Sequence, residues 1–327
     1  QDLKTIPQWY DFRERYQLDI VAFAIEALDM TVEAGQAISW QQEILFESIC
    51  LPSSRTTVAS GHGTGKSRSA GVVALWHLLC FPDSITMFTA PQIGQLRKIV
   101  WKEIAICYDR LKNGVWGWLA DYVVILAELV YIKGYDKTWH VLAKTAPKHL
   151  PTNIAGQHGD NYLLWVDEAS GVDDAVMEVV MGALTHHDNK AVLTSQPTRN
   201  AGFFYDTHHK LSHRSGGVWR ALTFNGEQSP LVTESTLKEL FEKYGSRDDA
   251  GYMIRVRGLF PDLTGEFLLS NSQADDMYIG NSLFADHDDF GYIITVDVGG
   301  GVGRDDSVIM IAKVWGEAHW NVRARRV

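Results

Sequence analysis

The sequence predicts an α/β fold, in which a mostly parallel β-sheet is flanked by helices. The first observation is a β-branched run at residues 56–59, followed by three glycines within five residues and then by a helical pattern of apolar positions. The second is an apolar run at 162–166 that ends in two acids. Strand-like and helix-like runs alternate between these segments, which indicates a parallel sheet with crossover helices.

The glycine-rich turn predicts a phosphate-binding loop, because residues 60–67 read Ser-Gly-His-Gly-Thr-Gly-Lys-Ser. Backbone N–H groups of such a loop point at an anion, and the following helix N-terminus favours negative charge. We expect Lys66 to reach the β- and γ-phosphates of a nucleotide and the Ser67 hydroxyl to bind Mg²⁺. The usual pattern begins with glycine, where this chain has Ser60. The predicted loop contacts are Ser60, Gly61, Gly63, Thr64, Gly65, Lys66 and Ser67.

The acid-ended strand supplies the expected partner of this loop. Parallel strands bring their carboxyl ends to one edge of a sheet, so Asp167 and Glu168 would lie beside the loop. We predict that Asp167 holds Mg²⁺, usually through water, and that Glu168 polarises the water that attacks the γ-phosphate. An apolar strand ending in Asp-Glu is by itself common and mostly structural. Its position about 100 residues after the loop favours the catalytic interpretation.

Two further segments carry candidate contacts to a nucleotide. The Gln41 amide can donate and accept at once, which suits the edge of an adenine ring, although Ser39 and Gln42 would also make an ordinary capped helix start. A short strand at 191–194 ends before Gln196, which could sense the γ-phosphate and pass on its loss. A capped turn explains Gln196 equally well.

Periodicity predicts the other elements of the first part. Apolar residues three and four apart from Trp9 to Met30 predict one helix packed on the core. Strands are predicted at 85–90, 122–132, 138–143 and 218–224, and helices at 92–112, 173–184, 234–244 and 248–256.

Residues 205–214 carry three histidines, a lysine and an arginine, and two interpretations of them are open. Histidines invite a metal site, but no cysteine or acid joins them at ligand spacing. A basic surface loop that touches phosphate is the favoured interpretation.

The last part of the chain begins a second pattern. An apolar run at 292–296 ends in Asp297, a glycine-rich turn follows, and Asp305 and Asp306 come shortly after it. Antiparallel returns are predicted at 307–313 and 319–322. Ribonuclease H-like metal nucleases begin in this way, and so do actin-like ATPase domains. We expect Asp297 and Asp305 to bind Mg²⁺ or Mn²⁺, although two-metal chemistry needs further carboxylates.

Composition limits the class of protein. The net charge of −10 excludes a global positive field that attracts nucleic acid, so any DNA contact must come from local patches. Three cysteines without C-x-x-C spacing favour a reduced compartment. No signal peptide is recognisable, and the longest apolar run, 122–132, is too short for a bilayer, so we expect a cytosolic protein without a membrane contact. The last residues stop in mid-pattern, which suggests that part of the natural chain is missing.

The ordered set of motifs resembles the large subunit of the phage DNA-packaging terminase. Trp40-Gln41 is similar to its adenine motif, and residues 60–67 are similar to its often variant phosphate loop. Residues 163–170 resemble its acidic strand, and 194–197 its coupling motif. Its next motif is similar to residues 89–95. The end of its lid resembles residues 252–261, and the opening of its nuclease domain resembles residues 297–307. The similarity spans about residues 38–312.

The resemblance implies a RecA/ASCE-like P-loop fold and an ATP-driven motor that moves double-stranded DNA into a procapsid. It also implies a nuclease domain that cuts concatemeric DNA, and as partners a capsid portal, the small terminase subunit and further copies in a ring, in the bacterial host cytoplasm. The implied domains are a P-loop ATPase domain at 1–225, a helical lid at 226–263, a linker at 264–289 and the start of a ribonuclease H-like domain at 290–327.

Two alternatives to the motor are open: a helicase or other P-loop DNA translocase, and a nucleotide-gated assembly protein. The acid-ended strand near 297 disfavours a helicase, and Glu168 disfavours a pure switch. Several members of the family that this sequence resembles carry an arginine in the loop before the acidic strand, and that arginine serves a neighbouring subunit. Here that loop offers Gln157 and His158, so the arginine is undetermined, with Arg97 and Arg199 as the weak candidates.

Overall fold

The computed structural model describes residues 2–145, 154, 158–261, 291–297, 308–315 and 319–326. Backbone packing divides the chain into two units, Gln1–Pro261 and Asp262–Val327. The predicted linker at 264–289 lies outside the described residues. The boundaries at 225 and 263 stay predictions.

The first unit is built on an eight-stranded sheet in the order β3-β4-β5-β2-β6-β7-β1-β8. All pairs are parallel except β3–β4 and β4–β5, which are antiparallel. The strands are β1 (Arg55–Ser60), β2 (Ile85–Thr89), β3 (Val123–Ile125), β4 (Leu129–Ile132), β5 (His140–Ala143), β6 (Tyr162–Asp167), β7 (Lys190–Ser195) and β8 (Arg220–Phe224). The predicted mostly parallel sheet is confirmed.

Helices cover both faces of this sheet. They are α1 (Pro7–Tyr16), α2 (Ile20–Ala22, continued by a π-helical turn Phe23–Ala27), α3 (Trp40–Cys50), α4 (Lys66–Cys80), α5 (Ile93–Asn113), α6 (Asp174–Met181), α7 (Phe203–His208), α8 (Glu234–Tyr244) and α9 (Ala250–Tyr252, continued by a π-helical turn Met253–Arg257). Capping residues account for several starts: the Ser39 side chain accepts from Gln42 N–H, and Thr233 caps α8, which ends at a left-handed Gly245.

The sheet separates two apolar cores, and the alternation along β6 shows why. Leu163 and Trp165 point into a core shared with α1, α2, α4 and α5. Tyr162, Leu164 and Val166 point into a second core with α6 and α7. Because successive strand side chains face opposite ways, a strand buried on both faces reads as a continuous apolar run.

The helix predicted from Trp9 to Met30 is wrong as a single element, although its apolar residues are buried. Helix α1 ends at Tyr16, and the Asp19 side chain accepts from the Ala22 N–H and starts a new helix. The π-helical turn then changes the residue spacing. The predicted strand at 122–132 is also divided, into β3 and β4. The predicted helix at 248–256 begins two residues later, at Ala250.

The segment predicted as a basic surface loop is partly helical. Helix α7 contains Tyr205 and ends at His208, whose ring contacts Thr57 Oγ1 at 3.0 Å and packs against Phe260. Burial lowers the pKa of His208 to about 3, so this histidine is neutral and carries no charge toward a phosphate.

The second unit contains three antiparallel strands, β9 (Gly291–Asp297), β10 (Val308–Trp315) and β11 (His319–Arg326), in the order β11-β10-β9. The register pairs Asp297 with Val308 and Trp315 with His319. The predicted antiparallel returns are confirmed, and they continue to Trp315 and Arg326.

Candidate functional site

The glycine-rich loop connects the carboxyl end of β1 to the first turn of α4. Gly63 and Gly65 have left-handed φ values of +71° and +89°, which residues with a β-carbon rarely adopt. Gly65 is the residue before the helix, so the loop ends at a helix N-terminus. The Thr64 hydroxyl donates to Gly61 O at 3.3 Å, a hydrogen bond between two residues of the loop. A loop of this conformation that ends at a helix N-terminus is suited to binding an anion.

Lys66 folds back onto the loop it follows. Its ammonium donates to Ser60 Oγ and, at 3.3 Å, to Gly61 O. The departure from glycine at position 60 therefore supplies a hydrogen-bond partner for Lys66. Desolvation lowers the pKa of Lys66, and the negative charges of Asp167 and Glu168 oppose that shift. Lys66 thus lies within electrostatic range of both acids.

Asp167 is the last residue of β6, and its carboxylate is oriented by the neighbouring strand. Thr194 Oγ1 donates to Asp167 Oδ1 at 2.8 Å, and the Glu168 N–H donates to the same oxygen at 3.1 Å. The register of β6 and β7 places Asp167 opposite Thr194. One carboxylate oxygen of Asp167, Oδ1, is therefore held in place by two hydrogen bonds.

Glu168 adopts a left-handed backbone conformation, with φ 50° and ψ 40°. Such a conformation costs about 1–2 kcal/mol in a residue with a β-carbon and persists where surrounding contacts enforce it. Desolvation raises the pKa of Glu168, the like charge of Asp167 raises it further, and Lys66 opposes the shift. A raised pKa makes the Glu168 carboxylate a stronger base.

Gln196, the first residue after β7, contacts the glycine-rich loop. Its amide nitrogen lies 3.2 Å from Nδ1 and 3.3 Å from Nε2 of His62. Desolvation lowers the pKa of His62, and the nearby charges of Lys66 and Arg255 lower it further. A neutral imidazole is therefore favoured beside the Gln196 amide.

The two glutamines at the start of α3 have different environments. Gln42 Oε1 accepts from Ser39 N–H, and its amide nitrogen donates to Gly65 O and Ser69 Oγ. Gln41 donates to Asn225 O at 3.0 Å, whereas its buried Oε1 is without a partner among the described residues. The predicted capped helix start and the predicted adenine contact are thus compatible, because they use different glutamines.

The end of the α9 segment packs backbone against backbone on the glycine-rich loop. The His62 N–H donates to Arg255 O at 2.7 Å. A β-carbon on Gly61 would lie 2.2 Å from Val256 O, and one on Gly258 would lie 2.8 Å from Gly61 N. Beside this contact, a cleft of about 180 Å³ is lined by Gly63 and by residues around α8. Glycine is required here for close approach.

The remaining predicted residues lie apart from this cluster or outside the described residues. Asp297 ends β9 in the second unit. Asp305 and Gln157 lie outside the described residues. Arg97 pairs with Glu128 at 2.5 Å and donates to Ala143 O. Arg199 donates to Ser170 O at 3.4 Å, so of the two arginines it is the one tied to the turn after β6.

Sequence reasoning missed the hydrogen-bonded hydroxyls around this cluster. Thr194, Ser170 and Ser195 are short polar residues at strand ends, which are common in ordinary turns. In the sequence, only their position at the ends of two adjacent parallel strands could have marked them as part of the site.

Two absences hold for the part of the chain that the structure describes. It contains no group of three or more His, Cys, Asp and Glu side chains arranged to hold a metal ion. None of its helices is long and apolar enough to cross a bilayer.

Known proteins resemble this chain in sequence and in fold. No protein-family model matches the sequence. The chain is 36% identical over 317 residues to the probable terminase large subunit of Enterobacteria phage P7, an alignment that covers 96% of this chain and 62% of that protein. The sequence is thus similar to that of a phage terminase large subunit over nearly the whole of this chain. It spans less than two thirds of the length of that relative.

Solved structures agree on the fold. The large terminase of bacteriophage HK97 superposes with a TM-score of 0.56 at 15% identity, covering 93% of this chain and 66% of that one. The large terminase of a thermophilic bacteriophage, solved in complex with ADP, gives a TM-score of 0.53 at 12% identity over 88% of this chain and 68% of its own. The predicted resemblance to terminase large subunits and the predicted P-loop α/β fold are both confirmed.

Proposed function

We propose that the first unit hydrolyses ATP to drive the packaging of phage DNA. The observation that carries the proposal is the meeting of the glycine-rich loop with the carboxyl ends of β6 and β7. There Lys66 lies within electrostatic range of Asp167 and Glu168, and Gln196 contacts His62. The relationship to terminase large subunits, one of which is solved with ADP, supports the same activity.

The oxygen ligands present fit Mg²⁺. Mg²⁺ is bound through one or two carboxylates together with substrate phosphates, and it prefers hard oxygen ligands. Ser67 and Asp167 would hold it, and its charge would neutralise the β- and γ-phosphate oxygens. Because Thr194 holds Asp167 Oδ1, the carboxylate is oriented before a cation arrives.

The residues of the loop would bind the triphosphate through backbone N–H groups and the helix N-terminus. Lys66 would leave Ser60 and donate to the β- and γ-phosphates, exchanging a neutral partner for a charged one. Glu168 would orient the attacking water and accept its proton. Gln196 would register the loss of the γ-phosphate through its contact with His62.

Gln41 would contribute to recognition of the base. Its buried Oε1 is an acceptor without a partner among the described residues, and an unpaired buried acceptor costs about 1–3 kcal/mol. The exocyclic amine of adenine is a donor that could satisfy it. The adjacent Trp40 is 44% exposed, and its ring would contact the base.

The second unit would begin a metal-dependent nuclease that cuts concatemeric DNA. Asp297 ends strand β9, and a carboxylate at a strand end is suited to Mg²⁺ or Mn²⁺. Asp305 would join it. Two-metal cleavage needs more carboxylates than these two, so this 327-residue chain should cut DNA weakly or not at all.

The assembly we propose is a ring of copies on double-stranded DNA, at the capsid portal and with the small terminase subunit, in the host cytoplasm. The domain boundaries at 225, 263 and 289 belong to this proposal. Which arginine completes the ATPase site of a neighbouring copy is left open between Arg97 and Arg199.

The test separates binding from hydrolysis. Lys66→Ala should weaken ATP binding, whereas Glu168→Gln should bind ATP normally and hydrolyse it at least ~10²-fold more slowly, the scale of a general base. ATP affinity and steady-state turnover are measured for both. Lys102→Ala and Glu178→Gln, exposed residues on α5 and α6, are the matched controls. Normal turnover by Glu168→Gln would overturn the catalytic assignment.

A further inference from the structure

The turn that carries Glu168 is held by hydroxyl groups to which the proposed mechanism assigns no role. Ser170 lies two residues after Glu168 and is buried, as is Ser195 at the end of β7. Ser170 Oγ lies 2.7 Å from Ser195 Oγ and 2.9 Å from Thr198 Oγ1. The Ser170 N–H also donates to Ser195 Oγ at 3.1 Å.

Only one assignment of donors and acceptors satisfies all the hydrogen bonds of these hydroxyls. Ser195 Oγ donates to Gln196 O at 2.9 Å, and a hydroxyl has a single hydrogen to give. Ser195 Oγ must therefore accept from Ser170 Oγ. Ser170 Oγ, having given its hydrogen, must accept from Thr198 Oγ1. Thr198 Oγ1 thus donates to Ser170 Oγ, Ser170 Oγ donates to Ser195 Oγ, and Ser195 Oγ donates to Gln196 O. We call this series of hydrogen bonds the hydroxyl relay.

This relay connects the two residues that the mechanism places at the γ-phosphate. One end is the turn that begins at Glu168, whose left-handed backbone needs surrounding contacts to hold it. Gly171 N–H donates to Glu168 O at 2.8 Å and closes that turn, while Ser170 attaches it to β7. The other end is the backbone of Gln196. If Glu168 or Gln196 moves, the hydrogen bonds of the hydroxyl relay must either break or move with it.

We propose that Ser170 is a positioning residue for ATP hydrolysis, holding the carboxylate of Glu168 in register with Gln196 through Ser195. The inference rests on the proposed function, because it takes Glu168 as the base. Ser170 does not touch the nucleotide in this account; it acts by keeping the base where a water can be polarised. Its loss should lower turnover and leave nucleotide affinity unchanged.

The first measurement is the split between kcat and KM. Ser170→Ala removes the hydroxyl and keeps the N–H bond to Ser195, so we expect kcat to fall about 10-fold with KM within about 2-fold of wild type. Ser48→Ala is the matched control, because Ser48 Oγ makes a buried 2.7 Å bond to Thr56 Oγ1 away from the loop. It should lower thermal stability to a similar degree with kcat unchanged.

A second pair keeps the test valid if Ser170→Ala does not fold. Thr198 is exposed, so Thr198→Val removes only the donor at the start of the relay and Thr198→Ser restores it. We expect about a 3-fold loss of kcat for Thr198→Val and wild-type kcat for Thr198→Ser. Equal rates for the two variants would overturn the proposal.

A double-mutant cycle with Glu168→Gln distinguishes this inference from the proposed function. If Ser170 acts through Glu168, then Ser170→Ala causes no further loss of kcat in the Glu168→Gln background. An undiminished 10-fold loss in that background would show a role independent of the base and would overturn the inference. Slow turnover by Glu168→Gln with normal turnover by Ser170→Ala would overturn the inference alone. Normal turnover by Glu168→Gln would overturn the assignment of Glu168 as the base, and only a lack of ATP hydrolysis by the wild-type protein would overturn the proposed function itself.

Discussion

The glycine-rich loop and the turn after β6 lie at the same edge of the sheet, but different kinds of contact hold them. Besides its side-chain hydrogen bonds, the loop is held by close backbone packing, because Gly61 and Gly258 allow the α9 segment to approach and Arg255 O accepts from the His62 N–H. The turn is held by side-chain hydroxyls, through Thr194 on Asp167 and Ser195 on Ser170.

The two regions therefore tolerate different substitutions. A backbone contact at van der Waals distance has no room for a β-carbon, so substitution there displaces a whole segment. A hydroxyl can be removed with little change of shape, so its loss costs one hydrogen bond. We therefore expect glycine substitutions to affect folding and nucleotide binding together, and hydroxyl substitutions to affect mainly hydrolysis.

The largest effect expected is that of Gly258→Ala. Its β-carbon would lie 2.8 Å from both Gly61 N and Ser60 Cα, at a φ of +63°. We predict a loss of about 3 kcal/mol in the free energy of unfolding, since overpacking adds to left-handed strain. ATP binding should weaken as well. Chemical denaturation and nucleotide titration measure the two effects.

Gly245→Ala is the matched control for that substitution. Gly245 also ends a helix in a left-handed conformation, with φ +75°, but nothing lies within 4 Å of its added β-carbon. We expect a loss of about 1 kcal/mol from backbone strain alone and unchanged ATP affinity. Equal losses in the two variants would show that the contact with the glycine-rich loop contributes nothing.

A smaller effect is predicted for Thr194→Val. Valine keeps the β-branched shape in β7 and removes the 2.8 Å hydrogen bond to Asp167. Because this bond is made to a carboxylate, we expect hydrolysis to fall about 10-fold and half-maximal activity to need more Mg²⁺. ATPase rates across a MgCl₂ titration measure both. Thr194→Ser should stay near wild type, and an unchanged Mg²⁺ requirement in Thr194→Val would contradict the proposed role of Asp167.

The smallest effect expected concerns stability and pH. Burial and Asp167 raise the pKa of Glu168 in the folded protein, so its ionisation opposes folding at neutral pH. Glu168→Gln should therefore melt at a higher temperature than wild type near pH 7.5. The difference is complete above the folded pKa and disappears as pH falls to the unfolded pKa. Solvent screens this exposed side chain, which keeps the effect small.

Melting curves of both proteins between pH 4 and pH 8 provide the measurement. If the difference in melting temperature were the same at every pH from 4 to 8, the change in stability would not come from the charge of Glu168. A lower melting temperature for Glu168→Gln at pH 7.5 would mean that attraction to Lys66 outweighs desolvation.

Local patterns in the sequence were sufficient for the elements that position the site. The run of glycines, the helix that follows Lys66 and the acid at the end of β6 depend on neighbours in the chain, and all three were predictable. The parallel sheet followed from the alternation of strands and helices. Helix α8 was predictable to the residue because Thr233 and Gly245 cap it.

Contacts between residues that are distant in sequence could not be predicted from local patterns. The helix predicted through Tyr16 breaks because Asp19 caps a new start, and His208 loses its charge because Thr57 and Phe260 bury it. Periodicity describes which residues share a face, but it says nothing about which element covers that face.

The order of residues alone specified which groups lie at the sheet edge: a glycine-rich loop, a lysine, two acids and a glutamine. How those groups are held depends on distant residues, through the Arg255 carbonyl on His62 and the Ser195 hydroxyl on Ser170. The two differ because hydrogen bonds are directional. An apolar pattern needs only to be buried, whereas a hydrogen bond needs a particular atom of a distant residue to arrive at the right distance and angle.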